Sequence, residues 1–484
     1  MADMSELAER KWQSSRRQRA AAPAWAVLAA VCAGQFLVVL DVSVVNVALP
    51  SIRTGLGLHE AGLQWVINAY ALTFAGFLLL GGRAADLFGR KRVFLAGLLL
   101  FAVASLAGGI ATEPWLLIAA RAVQGVGAAL LSPTTLTILT AAFPPGPART
   151  RAIGTWSAVG AAGGASGGLI GGLLTNYLSW RWVLLVNVPI GVLVLIAAVL
   201  WLPESRGGTV RRLDVPGAVL VTAGMATLAY GIAQTASHGW TGPDSLVPLL
   251  GGLAVLAGFL AVQARTREPL MPLGLFRIRS VSSANSVLLV TSAGSFAMWY
   301  FLTLYMQNVL HYSPLRAGLC FLPHTLSIIL GSKLAPRLMG RWGVRTVGAL
   351  GGLLMAGGMV WQSRLTPDGT FAGTILAPGL MMALGGGLLL TPVATAATTG
   401  ADPSDQGLVS GLLNTSRTLG GALGLTVLAT VAASHIGSRT AAGDTTEQAL
   451  ASGYSAAFLV ASGVVLLGTL MIVLLPAGAR RAGR

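Results

Sequence analysis

Uninterrupted apolar runs of membrane-crossing length recur from one end of this chain to the other. They fall at roughly 24–49, 63–81, 93–111, 115–140, 152–175, 181–202, 215–236, 246–264, 282–309, 316–334, 345–363, 371–398, 407–433 and 453–476. A helix needs about 20 apolar residues to cross the hydrocarbon of a bilayer. In that medium only a helix or a closed barrel satisfies its own backbone. Barrels carry short alternating segments, so long runs exclude them. The chain is 54% hydrophobic and 10% charged, far too oily for a soluble protein of its length. The expected class is therefore an all-α polytopic membrane protein of about 14 transmembrane helices.

The net charge of +16 has the sign of a nucleic-acid binder, but its distribution excludes that partner. An even number of spans places both termini on one side. Twenty-five Lys and Arg fall on that side and five on the other, with Arg121 and Arg417 inside spans. Basic residues mark cytoplasmic loops, so both termini are expected in the cytoplasm. The basic tail at 1–23 precedes a first run too long for a signal peptide and lacking a cleavage signature, so that run reads as a retained helix. Cys32 and Cys320 lie in apolar runs and read as core residues, without a disulfide framework. No phosphate-cradling Gly-x-x-x-x-Gly-Lys-Ser/Thr loop supports ATP-driven pumping, and no His/Cys cluster has metal-ligand spacing. Nothing reads as an enzyme.

Asp41 is the acid that lies well inside an apolar run. A charge there costs roughly 2.5–3.5 kcal/mol even on lenient insertion scales, so it faces a partner or a wet cavity and is a functional candidate. Arg121 lies inside the fourth run and cannot shed its charge. At 1.5 Å per residue, Asp41 sits roughly 12 Å and Arg121 roughly 9 Å from the outer ends of their spans, so the two can meet. A proton-coupled switch needs such a pair; a static tie between helices needs it equally. The loop Gly82–Arg92 packs Asp86 among Arg83, Arg90, Lys91 and Arg92. Its glycines allow close approach, and Asp86 can pair with an Arg or cap another span's N-terminus. It reads as a latch that forms in one state, or as a basic anchor with no moving part.

A faint repeat joins Ala84–Arg90 (AADLFGR) to Ala335–Arg341 (APRLMGR), and Leu40–Leu49 to Leu302–His311. The offset is eight spans. Two six-helix halves with two inserted helices give that offset, and repeated halves around a midplane site are a common transporter plan. The division expected is a cytoplasmic tail at 1–23, an N-terminal half at 24–202, the inserted pair at 203–281, a C-terminal half at 282–476 and a second tail at 477–484.

Together these stretches resemble the major facilitator superfamily, in its fourteen-helix drug:proton antiporter branch. The loop matches the signature Gly-x-x-x-Asp-x-x-Gly-Arg-Lys-Arg at Gly82, Asp86, Gly89, Arg90, Lys91 and Arg92. LDVSVVNVALP is similar to the branch's first-helix motif, with Asp41 and Asn46. RAVQGVGAA resembles its proton-transfer motif, with Arg121 and Gln124. WRWVLLVNVPIG, Trp180 to Gly191, resembles its entry to helix 6, and SGLLNTSRTLGGALG its helix 13, with Asn414 and Arg417. Gly154, Gly163, Gly167, Gly171 and Gly172 keep the antiporter spacing of helix 5, but Gly168 stands where the family has proline, so a fixed kink is lost. Trp65, Asn68 and Tyr70 match the opening of helix 2.

The resemblance implies alternating access driven by the proton gradient, with no cofactor. The expected cargo is a hydrophobic or cationic small molecule leaving the cell, as in multidrug or antibiotic efflux. Cavity candidates are Asn46, Trp65, Asn68, Tyr70, Gln124, Gln307, Asn308, His324, Asn414 and Arg417, with Lys333 snorkelling to the interface. A dedicated exporter of one metabolite or antibiotic, a proton-coupled symporter, or a non-transporting sensor remain open. A monomer in the cytoplasmic membrane of a bacterium is expected; the high Ala, Gly and Arg usage fits a GC-rich genome.

Overall fold

The computed structural model describes residues 23–144, 147–205, 212–399 and 406–474. Among them, fourteen helices are long and apolar enough to cross a membrane. In chain order they are α1 (Ala24–Leu56), α2 (Gly62–Phe88), α3 (Arg90–Gly109), α4 (Pro114–Ala142), α5 (Pro147–Tyr177), α6 (Trp182–Trp201), α7 (Val215–Thr235), α8 (Pro243–Arg265), α9 (Arg279–Val309), α10 (Pro314–Trp342), α11 (Val344–Gln362), α12 (Phe371–Ala397), α13 (Leu408–Ala441) and α14 (Thr446–Leu470).

Several helices overrun the apolar runs that announce them. α10 continues to Trp342 and α13 to Ala441, where hydropathy ends near 334 and 433. Hydropathy locates the oily section, but a helix ends where its backbone is capped. Gly57 closes α1 at φ 64° with its N–H on the Arg53 carbonyl. Gly89 separates α2 from α3 at φ 105°, and Gly343 separates α10 from α11 at φ 83°; such angles suit glycine.

The packing repeats with a period of eight helices. α1 packs on α4, α5 and α6, and α9 packs on α12, α13 and α14. Helix α4 lies between α2 and α3 as α12 lies between α10 and α11, and α3 meets α6 as α11 meets α14. The matching turns are Gly89 and Gly343, so the seven-residue sequence match, which pairs Gly89 with Gly340, is three residues out of structural register. That shift is close to one helical turn, which keeps small and basic residues on the same face and makes the false match look plausible.

The halves meet along two equivalent seams, α2 with α13 and α5 with α10. On the first, Asn68 Nδ2 donates to Thr426 Oγ1 at 2.8 Å, Thr415 Oγ1 donates to the Ala75 carbonyl at 3.4 Å, and Leu79 covers Gly411. The inserted α7 and α8 pack on each other, and α7 lies on α2 and α13. Their basic end is clamped through Asp214, which accepts from Gly217 N (2.9 Å), Gln263 Nε2 (2.5 Å) and Leu270 N (3.1 Å). Arg83 Nη1 donates to the Glu268 carbonyl at 3.0 Å, tying α2 to the segment after α8.

Candidate functional site: a buried charge network beside a central cavity

Asp41 and Arg121 meet. Arg121 Nη1 donates to Asp41 Oδ2 at 2.5 Å, and the two are 2% and 0% exposed, respectively. A pair so deep survives only if its remaining donors and acceptors are satisfied. Gln124 Nε2 and Asn187 Nδ2 each donate to Asp41 Oδ1 at 2.8 Å, and both also donate to Ser105 Oγ, at 3.1 and 3.0 Å. Ser105 Oγ in turn donates to the Leu184 carbonyl at 2.9 Å. On the other side, Arg121 Nε donates to the Val66 carbonyl at 3.1 Å and Nη1 to Gln124 Oε1 at 2.7 Å. The guanidinium carbon lies 4.3 Å from the centre of the Tyr70 ring. The network draws on α1, α2, α3, α4 and α6, so a change of charge at Asp41 reaches most of the N-terminal half.

Two adjoining pockets, of about 310 and 360 Å³, form a cavity between the halves and share Val42, Asn46, Trp299, Ile328 and Arg417 in their walls. The second also takes in Gln35, Phe74 and Ser132, toward the basic end of the bundle. The opposite end is closed. There Gly168 abuts Gly318, Gly172 abuts Leu315, and Gln307 Nε2 donates to the Val47 carbonyl at 2.8 Å. Tyr70 lines the cavity while covering Arg121. Arg121 is thus one aromatic ring away from the cavity, and its partner Asp41 is fully buried and faces no lipid.

Of the expected cavity residues, Asn46, Tyr70, Asn414 and Arg417 line it. The others are placed elsewhere for identifiable reasons. Gln124 is taken into the charge network. Trp65 packs with Met225 and Leu419 between α2, α7 and α13. Asn68 and Gln307 tie the halves together, as above. Asn308 sits beside Gln307 in a π-turn over Tyr305–Val309 with its Nδ2 buried. His324 is 0% exposed and its ring nitrogens face the Cys320 and Ile375 carbonyls at 2.9 and 3.2 Å, so it holds α10 to α12.

The helix 5 glycines divide between two partners. Gly163, Gly167 and Gly171 press on α1 at Phe36, Ser43 and Val44; Gly168 and Gly172 press on α10 at Gly318 and Leu315. α5 is therefore a strut with one glycine face inside its own half and one across the seam. Gly154 stands in open space, outside this packing, because it lies toward the basic end where the halves diverge. The helix is continuous from Pro147 to Tyr177.

In the Gly82–Arg92 loop, Asp86 pairs with Arg90 at 3.6 Å, one turn along. No other span's N-terminus is capped by Asp86 among the described residues. The loop is instead fixed to the end of α6. Arg90 N donates to the Ser205 carbonyl at 2.9 Å, Lys91 Nζ to the Val199 carbonyl at 2.8 Å, and Arg92 Nε lies 3.6 Å from Glu204 Oε2. Gly89 passes directly under the Glu204 carboxylate, and the backbone contact with α4 is made by Gly81 on Ala129, while a Cβ added to Gly82 would meet nothing nearer than Pro133 at 3.9 Å.

Four participants were not singled out in the sequence: Ser105, Asn187, Glu204 and the aromatic wall of α9. Asn187 was legible as a lone amide in the apolar run Val183–Leu195. Phe296, Trp299 and Tyr300 were legible too, since their spacing of three and four puts them on one helix face.

A family model described as Major Facilitator Superfamily matches residues 31–425. The chain belongs to the Major Facilitator Superfamily. Within it, the chain is 48% identical over 457 residues to a cephamycin export protein of Amycolatopsis lactamdurans, covering 94% of this chain and 93% of that one. It is 39% identical over 452 residues to a puromycin resistance protein of Streptomyces alboniger, covering 92% and 89%. Among solved structures, the peptide transporter PepTSo superposes with a TM-score of 0.67 at 15% identity, covering 92% of this chain and 98% of that one. A bacterial homologue of the lysosomal transporter Spinster, in an inward-facing and unoccupied conformation, superposes at 0.62 and 19%, covering 94% and 98%. At these identities the superfamily fold is what the two structures share with this chain.

Proposed function

We propose that this superfamily member is a proton-coupled antiporter that exports small apolar or amphipathic compounds, antibiotics among them, by alternating access. The Asp41–Arg121 pair, buried one ring behind the central cavity, carries this reading. Protonating a carboxylate held by a cation and two amides removes the counter-charge of the cation, and Arg121, which stays charged, is then drawn toward acceptors elsewhere. That exchange links protonation to the packing of five helices. Export is supported by the relatives, whose names speak of export and resistance. The cytoplasm is taken to face the basic end, where the positive-inside bias places both termini; the cavity is then open inward, ready to load. A potential of 100 mV, worth about 2.3 kcal/mol per charge, then favours proton entry from the opposite face.

The test uses purified protein in liposomes with an imposed pH gradient. Asp41→Asn should abolish gradient-driven accumulation, a loss of about 10²-fold or more by the scale of essential proton-transfer groups. Counterflow of a labelled substrate, which needs no net proton movement, should persist. A variant that still accumulates substrate at the wild-type rate would remove Asp41 from the coupling.

A further inference from the structure

The cavity is chemically lopsided. The first pocket is walled mainly by aromatic and aliphatic side chains, among them Phe296, Trp299, Tyr300 and Met355, and the neutral polar side chains Gln35, Ser43, Ser132 and Asn414 join them in the second. One formal charge reaches both pockets, the guanidinium of Arg417. Among the described residues that guanidinium has no hydrogen-bond acceptor and no carboxylate partner, and no Asp or Glu lines either pocket. Asp41, which lines neither pocket, is already committed to Arg121 and two amides. Arg417 is exposed along its side chain although it lies in the middle of a helix packed between the halves, so the exposure is to the cavity. Two of the polar side chains beside it are tied off on backbone carbonyls, Asn46 Nδ2 on Val42 and Ser43 Oγ on Gly164. An always-charged, forked donor left open in an apolar chamber matches a carboxylate or a sulfonate. A monocation would find no counter-charge there and would face Arg417 across a low-dielectric space, where like charges repel strongly.

We propose that the central cavity selects amphipathic organic monoanions, with Arg417 holding the anionic group and the α9 aromatic wall of Phe296, Trp299 and Tyr300 holding the apolar body. The proposal rests on the cavity being the cargo route, and it replaces the cationic part of the sequence expectation. It carries an energetic corollary. Exchange of one monoanion outward for one proton inward moves two charges in the direction favoured by an inside-negative potential, whereas exchange of a monocation moves none.

The test is equilibrium dialysis of the purified full chain in detergent against three matched probes: a naphthyl-capped aliphatic carboxylate, its primary amide and its trimethylammonium analogue. Wild type should bind the carboxylate about 10-fold or more tighter than the amide, as a charge-assisted fork does, and the trimethylammonium form weakest. Arg417→Gln should bring carboxylate and amide within about 3-fold of each other, and Arg417→Lys should keep part of the preference because it keeps the charge but not the fork. Raising the salt concentration should weaken the carboxylate alone. A trimethylammonium or amide probe that binds wild type as tightly as the carboxylate overturns the anion preference and leaves the transport reading standing; so does an Arg417→Gln that keeps the preference. Failure of all three probes to bind wild type removes the cavity as a cargo site and takes both readings with it. Should Arg417→Gln fold poorly, the wild-type ranking and its salt dependence still decide the matter.

Discussion

Replacing Arg121 with Met is expected to destabilise the protein by about 3–5 kcal/mol, and adding Asp41→Asn to that variant is expected to recover much of the loss. The first figure is the ordinary consequence of stripping the partner from a buried charge. Met roughly fills the volume, so the loss is electrostatic and polar rather than a cavity. Asp41 would keep two amide donors but lose its only cation, the Val66 carbonyl would lose its donor, and the Tyr70 ring its cation. Neutralising Asp41 removes the largest of these penalties. A double-mutant cycle on thermal or denaturant unfolding in one detergent should give a coupling energy of about 2 kcal/mol or more, well beyond the roughly 0.3–0.5 kcal/mol scatter of independent sites. Additive losses would mean that the pair is not energetically joined, and the proton switch built on it would go. The rescued double variant should still fail to accumulate substrate, since it has a fold but no titrating carboxylate.

The membrane class, the helix count and the existence of this pair were legible because the bilayer leaves little choice. Runs of apolar residues must be helices there, and a charge inside one must be accounted for. The eight-helix period was legible only through a faint motif echo, AADLFGR against APRLMGR, which is three residues out of structural register. What the sequence hid was set by rotation about each helix axis. Asn68 and Tyr70 are two residues apart in the same motif, yet one faces α13 at the seam and the other faces the cavity. Gln124 and Gln307 look alike as amides in apolar runs; one completes the charge network and the other pins α9 to α1. Asn187 was passed over because apolar residues crowd it on both sides, although that isolation is what signals a buried acceptor or donor. Glu204 escaped because it lies beyond the end of α6, and only the fold brings it over Gly89.

The seam between α5 and α10 allows a prediction in which two glycines in mutual contact behave differently. A Cβ on Gly318 would lie 2.0 Å from the Gly168 carbonyl oxygen and 2.6 Å from its carbon, both backbone atoms that no rotamer can move. A Cβ on Gly168 would meet the Gly318 oxygen at 3.1 Å, a fit that a shift of a few tenths of an ångström relieves. Gly168→Ala should therefore be tolerated. Gly318→Leu should hold the halves apart at the face opposite the basic loops. A seal that cannot form leaves that face ajar in the state where the cavity should open only at the basic end, and efflux should fall by about 10-fold or more, the effect of about 1.4 kcal/mol on the closed state. The position can be read directly. In a chain whose Cys32 and Cys320 have been replaced, Asn46→Cys reports on the cavity from within α1. Its labelling by a membrane-impermeant maleimide applied from the face opposite the basic loops should rise in Gly318→Leu and stay at the parent level in Gly168→Ala. Equal labelling and undiminished efflux in Gly318→Leu would show that the glycine contact is not the seal, and α9's hold on α1 through Gln307 would then have to close that end unaided.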